Sequence, residues 1–195
     1  AVVVKSLLII FSLFSTLCFD EYGLNFLHTI DFIPNLFIIL WVLLRLIDII
    51  ETTDDVEGIK KQAEELVVNT FSYYVTPDLN YLYRGGRIGK AKALLGSVLR
   101  VLPVIGLMGD DPEGSIVPVG QGRTFKQANS LIINSIKEKM NEKKAKDITV
   151  AIISGDESKR DAIDDLKREF EGSIPCKNLI YGKLHLVEAI YIGPG

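Results

Sequence analysis

The chain has 195 residues, 48% hydrophobic and 24% charged, a composition that fits one large or two small globular domains and excludes extended disorder. Its formal net charge of −3 argues against a whole-surface nucleic-acid binder. Two cysteines, Cys18 and Cys176, and two histidines, His28 and His185, exclude a disulfide framework, a cysteine-rich zinc site and a multi-histidine metal centre.

Residues 1–50 stand apart, with charge only at Lys5, Asp20, Glu21, Asp31, Arg45 and Asp48. Two apolar runs lie there, Ser6–Phe19 and Phe32–Ile50. A membrane reading takes the first as a signal-like region and the second as a spanning or interfacial helix. The soluble reading, a buried strand and a buried core helix, is favoured. The first run is short for a bilayer, no small-x-small site follows it, and Arg45 and Asp48 interrupt the second. Ala1 is not an initiator Met, so the chain reads as processed or as a fragment. The scarcity of cysteine fits a reducing, cytoplasmic compartment.

From residue 51 the spacing predicts alternating helices and strands. Thr52-Thr53-Asp54 caps a helix with Val56, Ile59, Ala63, Leu66, Val67 and Thr70 on its apolar face. Phe71–Thr76 reads as a strand, Asp78–Arg84 as a short helix stopped by Gly85-Gly86, and Ile88–Arg100 as a second helix. Val101–Met108 is a buried strand whose Pro103 implies an edge or a strand start. A turn at Gly109–Gly114 and a strand at Ile116–Val119 complete a hairpin. Thr124–Lys146 is a long amphipathic helix with its lysines on the wet side. Ile148–Ser154 is apolar throughout, as in a sheet covered on both faces. A helix at Asp156–Phe170 and strands at Leu179–Tyr181 and Ala189–Ile192 follow. This pattern is an α/β fold, a two- or three-layer mixed sheet with flanking helices.

The densest chemistry is Arg84-Gly85-Gly86-Arg87-Ile88-Gly89-Lys90-Ala91-Lys92. Glycines at a helix start let backbone N–H groups approach an anion, and the cations raise the local potential. The spacing is wrong for a nucleotide P-loop: Gly85 lies only four positions before Gly89, and Ala91 replaces the magnesium-binding hydroxyl. Anion binding, partner docking and a plain tight turn with exposed cations all stay open. Gly120-Gln121-Gly122-Arg123 reads as a second glycine–arginine loop, or as a plain strand-to-helix connection. Gly193-Pro194-Gly195 is a side-chain-poor turn. The acid pairs Asp54-Asp55, Asp110-Asp111 and Asp164-Asp165 read as solvated. No nucleophile, base or metal set can be assigned, so an enzyme is not the favoured reading.

Tyr74–Leu107, YVTPDLNYLYRGGRIGKAKALLGSVLRVLPVIGL, resembles the DegV family of bacterial fatty-acid-binding proteins. Ile116–Thr124, Ile148–Asp156 and Tyr191–Gly195 are similar to further family motifs, and the resemblance covers about residues 53–195. It departs at Tyr191, where the family has His, and at Phe125 and Leu102, where it has Arg and Lys. Residues 1–50 carry none of the family's N-terminal Asp-Ser or Ser/Thr motifs.

The resemblance implies a two-domain α/β protein enclosing one acyl chain, with the carboxyl at the domain junction presented to a separate fatty-acid kinase. Residues 51–195 are then a DegV-like C-terminal domain, and 1–50 a remnant or divergent first domain. The ligand is a long-chain fatty acid, with no further cofactor. It implies lipid contacts at Gly86, Arg87, Ile88, Ala91, Leu95, Tyr191, Gly193, Pro194 and Gly195. Arg84, Arg87 and Arg123 would be the phosphate- or partner-binding cations. The rival readings are a phosphate-ester-binding enzyme using the Arg-Gly-Gly-Arg turn, and a membrane-attached interaction module using residues 1–50.

Overall fold

The computed structural model describes residues 42, 45–53, 55–86, 88–94, 101–154 and 160–183. The expected features at Ser6–Phe19, residues 95–100, 155–159 and 184–195 lie outside the described residues. The chain divides into two compact units, residues 1–71 and 72–195.

In the first unit, residues 45–50 are helical, and α1 spans Val56–Val68. Val42, Leu46, Ile59 and Ala63 form a buried cluster, flanked by Ile49, Ile50, Leu66 and Val67. Arg45 and Asp48, the charges that interrupt the second apolar run, form a 2.9 Å ion pair one turn apart. Leu46 beside them is fully buried, so this stretch is amphipathic rather than apolar all round. Among the described residues no helix is long and apolar enough to cross a membrane. Thr53 Oγ1 accepts from Asp55 N at 3.1 Å at the start of α1, and Asp55 makes no side-chain cap of its own. Val56, expected on the apolar face, is 55% exposed.

β1 (Phe71–Val75), which from Ser72 on belongs to the second unit, forms one sheet with β2 (Leu102–Met108) and β3 (Ile116–Gly122), in that order. β2 and β3 run antiparallel from Leu102↔Gly122 to Leu107↔Ile116, with an irregularity between Val104 and Ile105. β2 is therefore central, and Val104 and Ile105 are wholly buried. Pro103 marks the strand's start rather than an edge, and its carbonyl accepts from Thr76 N at 3.2 Å. α2 spans Asn80–Arg84. The helix expected over Ile88–Arg100 is, where described, a 3₁₀ helix at Gly89–Leu94.

α3 (Phe125–Lys143) is capped by Thr124, whose Oγ1 accepts from Gln127 N. Ala128 and Ile132 bury one side of it with Val104, Tyr73, Val75 and Val119 of the first sheet. Ile133 and Met140 bury another side with Ile152, Phe170 and Ile174, and Ile136 touches both clusters. The helix stops three residues earlier than its periodicity predicts because Lys144 turns left-handed, at φ 53, and Ala145 N donates back to Met140 O. A non-glycine residue is strained there. Lys144→Gly should raise stability by about 0.5–1 kcal/mol, read as a later denaturation midpoint at unchanged slope.

β4 (Ile148–Ser154) and β5 (Cys176–Lys183) pair in parallel, and α4 (Arg160–Ser173) lies between them in sequence. Ile148, Val150, Ile152 and Leu179 join the cluster with α3 and α4. The other face differs from the expectation: Ala151 is exposed and its register neighbour Ile180 is 43% exposed. Among the described residues this face is therefore exposed at Ala151 and Ile180, although the apolar sequence reads as a covered sheet.

Candidate functional site

The glycine-rich turn is built from α2 upward. Thr76 is buried, and its hydroxyl takes the Asp78 N–H while Asp78 Oδ1 accepts from Asn80 N at 2.8 Å. Leu82 anchors the five-residue helix in the core, leaving Tyr81, Tyr83 and Arg84 exposed. Gly85 and Gly86 close it by donating to Tyr81 O and Tyr83 O. Gly86 sits at φ 73 and is exposed. Ile88 and Ala91, two expected lipid contacts, are buried, and Ala91 N donates to Ile88 O at 3.0 Å.

Gly89 has φ 51, and a Cβ there would lie 2.9 Å from Ile116 O and 3.0 Å from Ile116 N. The turn's backbone thus rests on the first residue of β3. Beside it, Lys90 Nζ reaches Glu113 at 2.8 Å and Asp111 at 3.7 Å on the β2–β3 turn. The hydrogen bond from Lys90 to Glu113 holds the ammonium above its ordinary pKa. Asp111 is itself fixed, its carboxylate accepting from Glu113 N and Ser115 N.

Arg123 is exposed beyond the other end of β3. Its backbone N–H donates to Gln127 Oε1 at 2.7 Å while Gln127 N donates to Thr124, a reciprocal cap. Gly120 and Gly122 belong to β3 rather than to an anion-binding loop. A Cβ on Gly122 would lie 2.8 Å from Ala128 N, and one on Gly120 3.0 Å from Leu131, so both let the strand approach α3. An open groove of about 740 Å³ runs beside the helix start, lined by Gln121, Arg123, Lys126, Gln127, Leu131 and Asn134 among others. Gly89 and Arg123 flank opposite ends of a seven-residue strand, about 20 Å apart at the usual rise per residue. The two cationic features are therefore separate, and one small anion does not bridge Lys90 and Arg123.

Sequence reasoning missed a third cluster. Asp110, read as solvated, is largely shielded and accepts from Lys139 at 3.0 Å and Lys143 at 3.1 Å on α3. Lys139 also pairs with Glu142. The available signal was the four-residue spacing of Lys139 and Lys143, which puts both on one helix face. Burial pushes the Asp110 carboxyl up, but the two ammonium groups outweigh it and the pKa ends below the ordinary value. Stability from these pairs is complete above the ordinary carboxylate pKa and is lost as pH falls through the depressed folded value. Asp110→Asn should cost about 1 kcal/mol at pH 7. The difference from wild type should shrink toward zero on acidification, as followed by urea titrations across pH.

A model of the DegV family of uncharacterised proteins matches residues 39–195. The chain belongs to the DegV family. A DegV domain-containing protein of Clostridium acetobutylicum is 30% identical over 140 residues, covering 72% of this chain and 46% of that protein. A solved fatty-acid-binding DegV protein of Thermus thermophilus is 28% identical with a TM-score of 0.69, over 80% of this chain and 54% of that one. A fatty-acid-binding DegV protein of Streptococcus agalactiae is 25% identical with a TM-score of 0.61, over 74% of this chain and 48% of that one. The chain spans about half the length of the curated DegV relatives it matches. The mixed α/β architecture agrees with the family fold. Of the DegV-like positions singled out in the sequence, Arg84, Gly86, Ile88, Ala91 and Arg123 are described. Arg87, Leu95, Tyr191, Gly193, Pro194 and Gly195 lie outside the described residues.

Proposed function

We propose that this DegV-family chain is part of a carrier that holds a long-chain fatty acid and presents the carboxyl group to a separate fatty-acid kinase in the cytoplasm. The observation that carries the lipid reading is the likeness to the Thermus thermophilus protein, whose solved structure is described as fatty-acid-binding. The acyl tail gains about 0.8 kcal/mol for each methylene taken out of water, so an enclosed apolar slot retains it without covalent chemistry. In this reading residues 51–195 form the C-terminal domain of the carrier and residues 1–50 a divergent first-domain remnant. The Arg84–Lys92 turn supplies cations near the carboxyl, and Gly193-Pro194-Gly195 a close backbone approach.

Native mass spectrometry of the purified chain tests the lipid reading. The expected spectrum carries the mass of one fatty acid that is lost on denaturation. A lipid-free chain that also fails to take up added palmitic acid would overturn it. The presentation step has its own test. Arg87→Ala and Arg123→Ala should lower acyl-phosphate formation by a fatty-acid kinase about tenfold, the loss of one charge-assisted contact each, with lipid retention changed far less. Unchanged turnover with both variants would remove these arginines from the presentation step.

A further inference from the structure

The acids of the β2–β3 turn are engaged from two directions, and one of those engagements falls on the glycine-rich turn. Lys139 and Lys143 hold Asp110 onto α3. Lys90 reaches the same turn at Glu113 and Asp111. Part of the target is held by the hairpin itself: Asp111 accepts two backbone N–H groups, from Glu113 and Ser115. The 2.8 Å partner, Glu113, is exposed, and the fixed carboxylate of Asp111 at 3.7 Å gives the ammonium a second, already ordered acid beside it. The contact also has a neighbour that makes it directional. Gly89, one residue earlier, presses its backbone on Ile116, two residues past the end of the acidic turn at Gly114. Backbone contact and ion pair together fix both the distance and the rotation of the Gly89–Leu94 turn against the hairpin.

We propose that Lys90 is a positioning residue, an ionic clamp that sets the Gly89–Leu94 turn against the β2–β3 hairpin and so slows ligand release beside that turn. The clamp rests on the acyl-binding reading only in its last clause. The cations beside the turn, Arg84 among the described residues, carry the ligand charge, and Lys90 is spent on the hairpin instead.

The test compares the full chain with Lys90→Met, Lys90→Arg and Glu113→Gln at 20 mM and 500 mM NaCl. Two quantities are read: amide hydrogen exchange at Ala91, whose N–H is bonded to Ile88 O, and the release rate of bound palmitic acid. The expected result is exchange and release both faster by about two- to fivefold in Lys90→Met and Glu113→Gln, the span of one ion pair. Lys90→Arg should stay near wild type, and salt should accelerate exchange at Ala91 only in the chains that retain the pair. Exchange at Ala91 that ignores both the variants and salt overturns the clamp. Faster exchange with unchanged release overturns its role at the ligand. Failure of the acyl reading has a different signature: no palmitic acid on the wild-type chain, with exchange at Ala91 still deciding the clamp.

Discussion

Phe170→Ala is expected to cost about 3–5 kcal/mol, the usual range for emptying an aromatic site in a core. Phe170 is 2% exposed and sits among Ile133, Ile152 and Ile174, where α3, β4 and α4 meet. The described side chains packed around it are apolar, so a cavity left there loses contacts without gaining a water partner. Guanidinium titration of the variant should show the midpoint falling at nearly constant slope. Phe170→Leu should recover more than half of the loss by refilling the space. A loss below about 1 kcal/mol would mean that the three elements do not share one core.

The second large effect belongs to a glycine. Gly89→Ala should destabilise by about 2–4 kcal/mol, from left-handed backbone strain plus a collision with the Ile116 main chain that no rotamer can relieve. Gly86 is the internal control. It also has positive φ, but a Cβ there meets nothing within 4 Å. Gly86→Ala should therefore cost only the backbone strain, about 1 kcal/mol. Thermal denaturation of both variants reads the difference, and equal losses would show that contact with Ile116 contributes nothing.

Local patterns in the sequence carried the fold further than they carried the site. Thr124 followed by Gln127 marks the α3 start because the cap is local, and Ala128, Ile132 and Ile136 recur at helical spacing. The helix end was legible only to within three residues, since nothing about Lys144 announces a left-handed conformation that glycine normally takes. β3 runs on through Gly120, Gln121 and Gly122 for a similar reason. Those residues have little strand propensity, and pairing with Leu102–Val104 decides the matter. The apolar run of β4 predicts a strand but cannot say which of its residues stay exposed, because that depends on what packs near Ala151 and Ile180.

At the site, the Arg-Gly-Gly turn was visible as a motif, and its consequences were not. That Lys90 is occupied by Glu113 and Asp111, and that Asp110 is shielded by lysines 29 and 33 residues later, are long-range facts. An acid pair beside a glycine reads as a wet turn whenever its partners are distant in sequence. The burial of Ile88 and Ala91 is likewise set by how the turn packs, which the motif alone does not show.

α3 belongs to two clusters of described residues in the second unit, and Ile136 is common to them. Removing that helix strips one face from each sheet at once. Loss of α3 is therefore felt by both sheets together, even though β4 and β5 keep Phe170 and Ile174 against them. Cooperativity in residues 72–195 is concentrated in a single helical segment. Its central amides, near Ile132–Ile136, should be the last to exchange with solvent.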